Sequence, residues 1–159
     1  MGFRRKGREY ALQLLFESDV VRGGGADLEA VTGRFAPFWA QRRAQPEVRS
    51  FAEILVRGVA GHEPEIDLML TRHARHWSLD RMAAVDRNVL RLAVYELCYE
   101  GDVPPRVVLN EAIEIAKKYG SEDSGAFVNG VLNDIVHTED AVRDRRTAPE
   151  SEPLPGSGR

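Results

Sequence analysis

The segment from about Asp86 to Tyr99 does most to limit what this chain can become. Val89, Leu90, Leu92, Ala93, Val94, Leu97 and Cys98 place apolar side chains around most of the circumference of one helix. A helix of that kind is stable only when other helices surround it, so the sequence predicts a packed domain with this segment near its middle. Gly101 and Pro104-Pro105 end it, because glycine tolerates cap geometry and proline restricts the residue before it.

The neighbours it needs are present on both sides. Residues 4 to 18 read as a helix whose apolar side carries Tyr10, Ala11, Leu14, Leu15 and Ser18, with Arg4, Arg5 and Arg8 gathered on another side. Gly7 weakens this start and predicts basic residues that fray until something binds them. Gly23-Gly24-Gly25 breaks the chain before an amphipathic segment from about Asp27 to Trp39, whose middle is weakened by Gly33. Val48, Phe51, Ala52, Leu55, Val56 and Val59 trace a further helix, which Gly61 and Pro64 end. Pro64 then suits the first turn of a helix over 63–74, with Ile66, Leu68, Met69 and Leu70 on its apolar side. Ser78 is placed to cap a short turn containing Leu79, Met82 and Ala83, and Asp86 to cap or begin the central helix.

Two more helices follow. One ends at Gly120, and the other runs from about 124 to 137, capped by Ser121 or Ser124. Beyond Thr138 the chain is charged and rich in Pro, Ser and Gly, so residues 139–159 are expected to form a flexible tail after a domain over residues 1–138. No period-two strand pattern competes, and the fold class expected is all-α.

With 159 residues, 43 % of them apolar, the chain can build one substantial core. No stretch approaches the roughly 20 apolar residues of a membrane span, and the basic amino terminus lacks the apolar core of a secretory signal. The expected location is the cytoplasm. A single cysteine, Cys98, supplies neither an internal disulfide nor a cysteine cluster for zinc, and its apolar setting predicts a buried thiol.

Catalytic chemistry finds little support. His62, His73, His76 and His137 accompany no HExxH, so surface or helix-end roles are expected and no metal site is predicted. Ser78 with Asp80 forms no recognisable nucleophile arrangement, and Ser124 lacks a glycine elbow. The glycine run contains neither GxGxxG nor GxxxxGK[ST], so no nucleotide cofactor is implied. Glu111 and Glu114 share a helix face, as an acid-base pair would. A solvated helix with an ion pair such as Glu114 to Lys118 shows the same pattern. Asn110 and Glu111 suit the helix entry, and Asn129 suits a tie from the last helix to a neighbour.

The basic cluster Arg4, Arg5, Lys6 and Arg8 carries more weight. The net charge is -3 and the pI about 5.8, so the protein does not coat nucleic acid with its whole surface. A local positive field can still exist within that total. Guanidinium groups pair with phosphates and stack on unpaired bases, although ordinary solvation of an exposed terminus accounts for the same residues. Phe127, close to Asp123 and Ser124, suits stacking on a base but by itself suits the core better. Phe16 and Asp86 suit a protein-docking surface, where an aromatic anchor sits beside charge, though Phe16 could equally cover the core.

The combined order of Arg4-Arg5-Lys6-x-Arg8-x-x-Ala11-Leu12-Gln13, Val85-Asp86-Arg87-x-Val89-Leu90-Arg91-Leu92-Ala93-x-Tyr95-Glu96-Leu97, Val103-Pro104, Asn110-Glu111-Ala112-Ile113-Glu114-x-Ala116-Lys117 and Phe127-Val128-Asn129-Gly130-Val131-Leu132 resembles the bacterial NusB transcription antitermination family over roughly residues 4–137. The resemblance implies an all-α protein of two perpendicular helical subdomains. It implies binding to the boxA element of nascent ribosomal RNA and to ribosomal protein S10 (NusE), within a larger complex containing other Nus factors and RNA polymerase, and no catalytic step. It places Arg4, Arg5, Lys6, Arg8, Asp123 and Phe127 toward RNA and Phe16 and Asp86 toward S10. Gly7 departs from the pattern where a helix-favouring residue is expected. The competing expectations are a non-catalytic helical adaptor and the accessory domain of an RNA-modifying system. NusB-like folds also occur attached to RNA methyltransferases, but here no further catalytic domain follows.

Overall fold

The first helix, α1 (Phe3–Arg22), runs without interruption through Gly7. In the computed structural model, which describes residues 2–22, 27–139 and 142, Gly7 is a point of close approach: an added Cβ would stand 2.7 Å from Cδ1 of Phe51. The glycine therefore serves packing, and the frayed start expected from it is replaced by an ordered turn. Ala11, Leu14, Leu15 and Ser18 are all buried, as the spacing predicts.

The segment after the first loop forms two short helices, α2 (Leu28–Thr32) and α3 (Phe35–Ala40), where one was expected. Pro37 explains the break, because it has no N–H to give the carbonyl of Gly33 and its ring would crowd that carbonyl. The aromatic pair of α3 then locks onto α1. Tyr10 meets Phe38 and Trp39 edge to face, with ring centroids 6.0 and 5.3 Å away, and Trp39 Nε1 donates to Glu53 Oε2 at 2.9 Å.

Glu53 belongs to α4 (Pro46–Gly61), which begins with proline in its first turn, as does α5 (Glu63–His73). On α5 Ile66 and Leu70 are buried, but Leu68, expected on the apolar side, is 61 % exposed. A single 3₁₀ turn, Leu79–Arg81, leads into α6 (Ala84–Tyr99), with no side-chain cap from Ser78. That helix begins two residues before Asp86, which therefore occupies its first turn and does not cap it.

Helix α6 is the centre of the fold, packing against α1, α4 and α5 and against α7 (Pro105–Tyr119) and α8 (Ser124–Thr138). Leu90 and Leu97 are fully buried, each contributing about 1.5–3 kcal/mol by leaving water. Cys98 is only half-buried, beside Met69. The α4–α6 crossing is tighter still, since a Cβ on Gly58 would fall 2.0 Å from Cζ of Tyr95. The Tyr95 hydroxyl donates to Glu100, and burial together with that bond pushes the phenol up to about 12.

These contacts predict opposite outcomes for two helical glycines. Gly58→Ala should destabilise by about 1–3 kcal/mol through overpacking. Gly130→Ala, whose Cβ would meet open space, should stabilise by about 0.5–1 kcal/mol. Urea unfolding of the two variants would show midpoints moving in opposite directions.

The described residues are helical with no strand, so the all-α class holds. Val142, four residues beyond the domain end expected at residue 138, is fully buried in the core, and its N–H donates to the Glu139 carbonyl. The remainder of the expected tail lies outside the described residues.

Candidate nucleic-acid interface

The four basic positions of α1 separate into three environments. Arg4 and Lys6 are exposed, with no ion pair to either among the described residues; the Lys6 ammonium stands 5.5 Å from the centre of the Tyr10 ring. Arg5 reaches α7, where its Nε and Nη2 donate to Glu111 at 2.7 and 2.8 Å. That bidentate bond raises the guanidinium pKa and lowers that of the carboxyl. Arg8 turns inward. It is 5 % exposed and donates from Nε and Nη2 to Glu96 on α6 at 2.6 and 3.0 Å. Helix periodicity turns Lys6 away from the face of Arg8, Ala11 and Leu15; Arg4 lies on that face, one turn before Arg8, and is exposed because it stands at the helix start.

The two carboxylates Glu111 and Glu114 on α7 have separate structural roles. Glu111 braces Arg5, and Glu114 lies 3.8 Å from Lys117, not against Lys118 as expected. Lys118 instead donates to Glu9 on α1 at 2.7 Å, a bond that raises its pKa. Helix α7 thus clamps the start of α1 at two points and fixes the direction in which Arg4 and Lys6 project.

Asp123 and Phe127 lie at the start of α8, which packs against α7. Asp123 is the exposed residue preceding α8, while Phe127 is half-buried against the core with part of its ring outward. The turn before them is tight: Ser124 Oγ accepts from the Ser121 N–H at 2.9 Å, and a Cβ on Gly120 would stand 2.3 Å from that oxygen. Lys117 lies along Gly125, placing a mostly exposed cation between the two groups of candidates. Neither Lys117 nor Lys118 was among the RNA-facing residues expected from the sequence, which offered Lys118 only as an ion-pair partner of Glu114. Asn129 bonds Asn133 on its own helix, without tying α8 to a neighbour.

The protein-docking candidates converge on the crossing of α1 and α6. Asp19, one turn beyond Phe16, accepts from Arg87 Nε at 2.8 Å and Asn88 Nδ2 at 2.9 Å, the two residues that follow Asp86. Burial pushes the Asp19 carboxyl upward, but those bonds outweigh it and hold the pKa below the ordinary value. Arg91 extends the network to Asp67 on α5. Phe16 is 38 % exposed and Val20, one turn on, 58 % exposed, forming an apolar strip. Asp86 contributes little surface at 9 % exposed, and its Oδ1 has no hydrogen-bond partner among the described residues. Val20 was missed by the sequence reading; its i+4 relation to Phe16 was the available signal.

His73 stands at the end of α5. Its Nδ1 meets Asp134 of α8 and its Nε2 meets Glu139 at 2.7 Å, so from its helix-end position it joins α5 to α8. The His73 bond lowers the Asp134 pKa. Among the described residues no group of three His, Cys, Asp or Glu could hold a metal ion, and no helix is long and apolar enough to cross a membrane.

Fold and surface together define a small all-α protein organised around one central helix, with a basic helix start and an apolar strip at separate places. A sequence model of the NusB family matches residues 5–137, and the chain belongs to that family. It is 49 % identical over 139 residues to transcription antitermination protein NusB of Geobacter sulfurreducens, covering 87 % of this chain and 96 % of that one. It is 50 % identical over 134 residues to the NusB of Anaeromyxobacter dehalogenans strain 2CP-1, covering 84 % and 89 %. Among solved structures, T. maritima NusB matches with a TM-score of 0.75 at 38 % identity, covering 89 % of this chain and 95 % of the other. A crystal structure of antitermination factors NusB and NusE with dsRNA matches with a TM-score of 0.73 at 31 % identity, covering 86 % and 98 %.

Proposed function

We propose that this protein is a non-enzymatic transcription antitermination factor of the cytoplasm, binding boxA RNA together with ribosomal protein S10 (NusE) to promote ribosomal RNA transcription. The observation that carries the reading is the presentation of Arg4 and Lys6 on an ordered helix end, held in place by the Arg5–Glu111 and Lys118–Glu9 bonds. Their fixed direction lets cations meet phosphates with less ordering cost than a frayed terminus would incur. Likeness to the NusB–NusE–dsRNA structure supports the pairing of RNA and protein partner. Asp123 and Phe127 extend the RNA surface across α7, with the exposed part of the Phe127 ring as a stacking face. Arg8 contributes indirectly, by fixing α1 on α6. The wider complex with other Nus factors and RNA polymerase then forms around this pair.

S10 docks on the Phe16–Val20 strip beside Asp86. An apolar anchor that leaves water at such a contact is commonly worth 2 kcal/mol or more, about thirtyfold in affinity. Phe16→Asp should therefore weaken S10 binding about thirtyfold by calorimetry and leave the salt dependence of RNA binding unchanged. Equal loss of both activities would oppose two separate surfaces.

A further inference from the structure

Beside the exposed cations of α1 lies a groove of about 640 Å³, bounded by the start of α1, the start of α4 and the outer side of α7. Its apolar lining comes from Phe3, Val48 and Ile115, and its polar lining includes Gln45, Glu47 and Glu114. That size falls within the roughly 300–1,000 Å³ usual for small-ligand sites. We propose that this groove receives one extruded base of the bound RNA; the inference rests on the RNA-binding reading above and adds a specificity pocket to it.

The charges in the groove favour a base over a phosphate. Arg5 and Lys118 also line it, but each is already bonded to a carboxylate, Glu111 and Glu9 respectively. Glu47 and Glu114 would repel a phosphate while accepting from the N–H groups on a base edge, and Gln45 can both donate and accept. Phe3 is 46 % exposed and meets Phe51 edge on at 6.0 Å, leaving ring surface available to an incoming base. Lys6 is one of the lining residues of the groove, so a strand whose backbone runs along Lys6 passes its mouth. Sequence-specific recognition of single-stranded RNA commonly works in this way, with bases splayed out, stacked and read on their edges.

The test fills the groove from opposite walls with Gln45→Trp and Glu114→Trp, both at exposed positions, and uses Ile54→Trp, an exposed site outside the lining, as control. Circular dichroism checks that each variant is folded. Anisotropy with labelled boxA and scrambled RNAs should show about tenfold weaker boxA binding for each filled variant, from the stacking lost, and a reduced preference over the scrambled RNA. The control should be unchanged. Glu114→Trp is the sharper case, because removing a negative charge would by itself tighten RNA binding. Abasic substitution along boxA should identify one position whose base matters to the wild type and not to the filled variants. If the wild type discriminates boxA and both filled variants do so equally well, the pocket is overturned while RNA binding stands. If they lose S10 binding alone, the groove belongs to the protein partner and the proposal is also overturned. Failure of the wild type to bind RNA would remove both readings.

Discussion

Replacing Arg8 by Ala should cost about 3–5 kcal/mol of stability, although the residue belongs to a basic run that looks like a surface feature. The substitution strips a two-pronged guanidinium from Glu96, a carboxylate that is 3 % exposed on the central helix. Removing one member of a buried pair leaves the other charge to bear its desolvation cost, and this dominates the loss. In a chain of this size the melting temperature should fall by about 10 °C. The combined variant Arg8→Met with Glu96→Leu should recover most of that loss, because two apolar side chains can replace a buried pair at little cost. Thermal and urea unfolding of the single and double variants would check this. Equal instability of both would mean that shape at the α1–α6 crossing matters more than charge.

Arg4 and Lys6 should behave in the opposite way. Both are exposed and free of ion pairs among the described residues, so changing both to Ala should leave the free energy of unfolding within about 0.5 kcal/mol of wild type. Affinity for boxA should fall at least tenfold. The slope of log affinity against log salt should become shallower by about 1.4, since each phosphate contact to a single strand contributes about 0.7. Titrations between low and physiological salt would measure that slope. A loss of affinity with unchanged slope would show that the two residues do not contact phosphate.

The contrast shows what the sequence could and could not convey. Helix periodicity placed Ala11, Leu14 and Leu15 on one face of α1, and the near-continuous apolar surface of residues 86–99 placed α6 at the centre. Those features are local, repeating every three or four residues. The fate of Arg8 depended on Glu96, 88 residues away, and that of Arg5 on Glu111, 106 residues away. No local pattern encodes such pairings. The same applies to His73, whose partners are 61 and 66 residues distant, and to Gly7, whose close neighbour Phe51 lies on another helix.

The break at Gly33 was legible in principle, since Pro37 marks it by the loss of an N–H four residues later. The candidate site was legible as residue types but not as a surface. Arg4, Lys6 and Phe16 are exposed, while Arg8 and Asp86 are buried and Phe127 is divided between core and solvent. The basic run therefore combines exposed cations with internal bracing, and the internal part fixes the exposed part.

The exposed start of α1 is expected to read RNA in concert with S10. Fluorescence anisotropy of labelled boxA RNA, with a scrambled RNA as control and with S10 absent or present, tests it most directly. Binding that tightens and becomes selective for boxA when S10 is added is the predicted result. Absence of binding under both conditions, or binding indifferent to sequence and to S10, would contradict it.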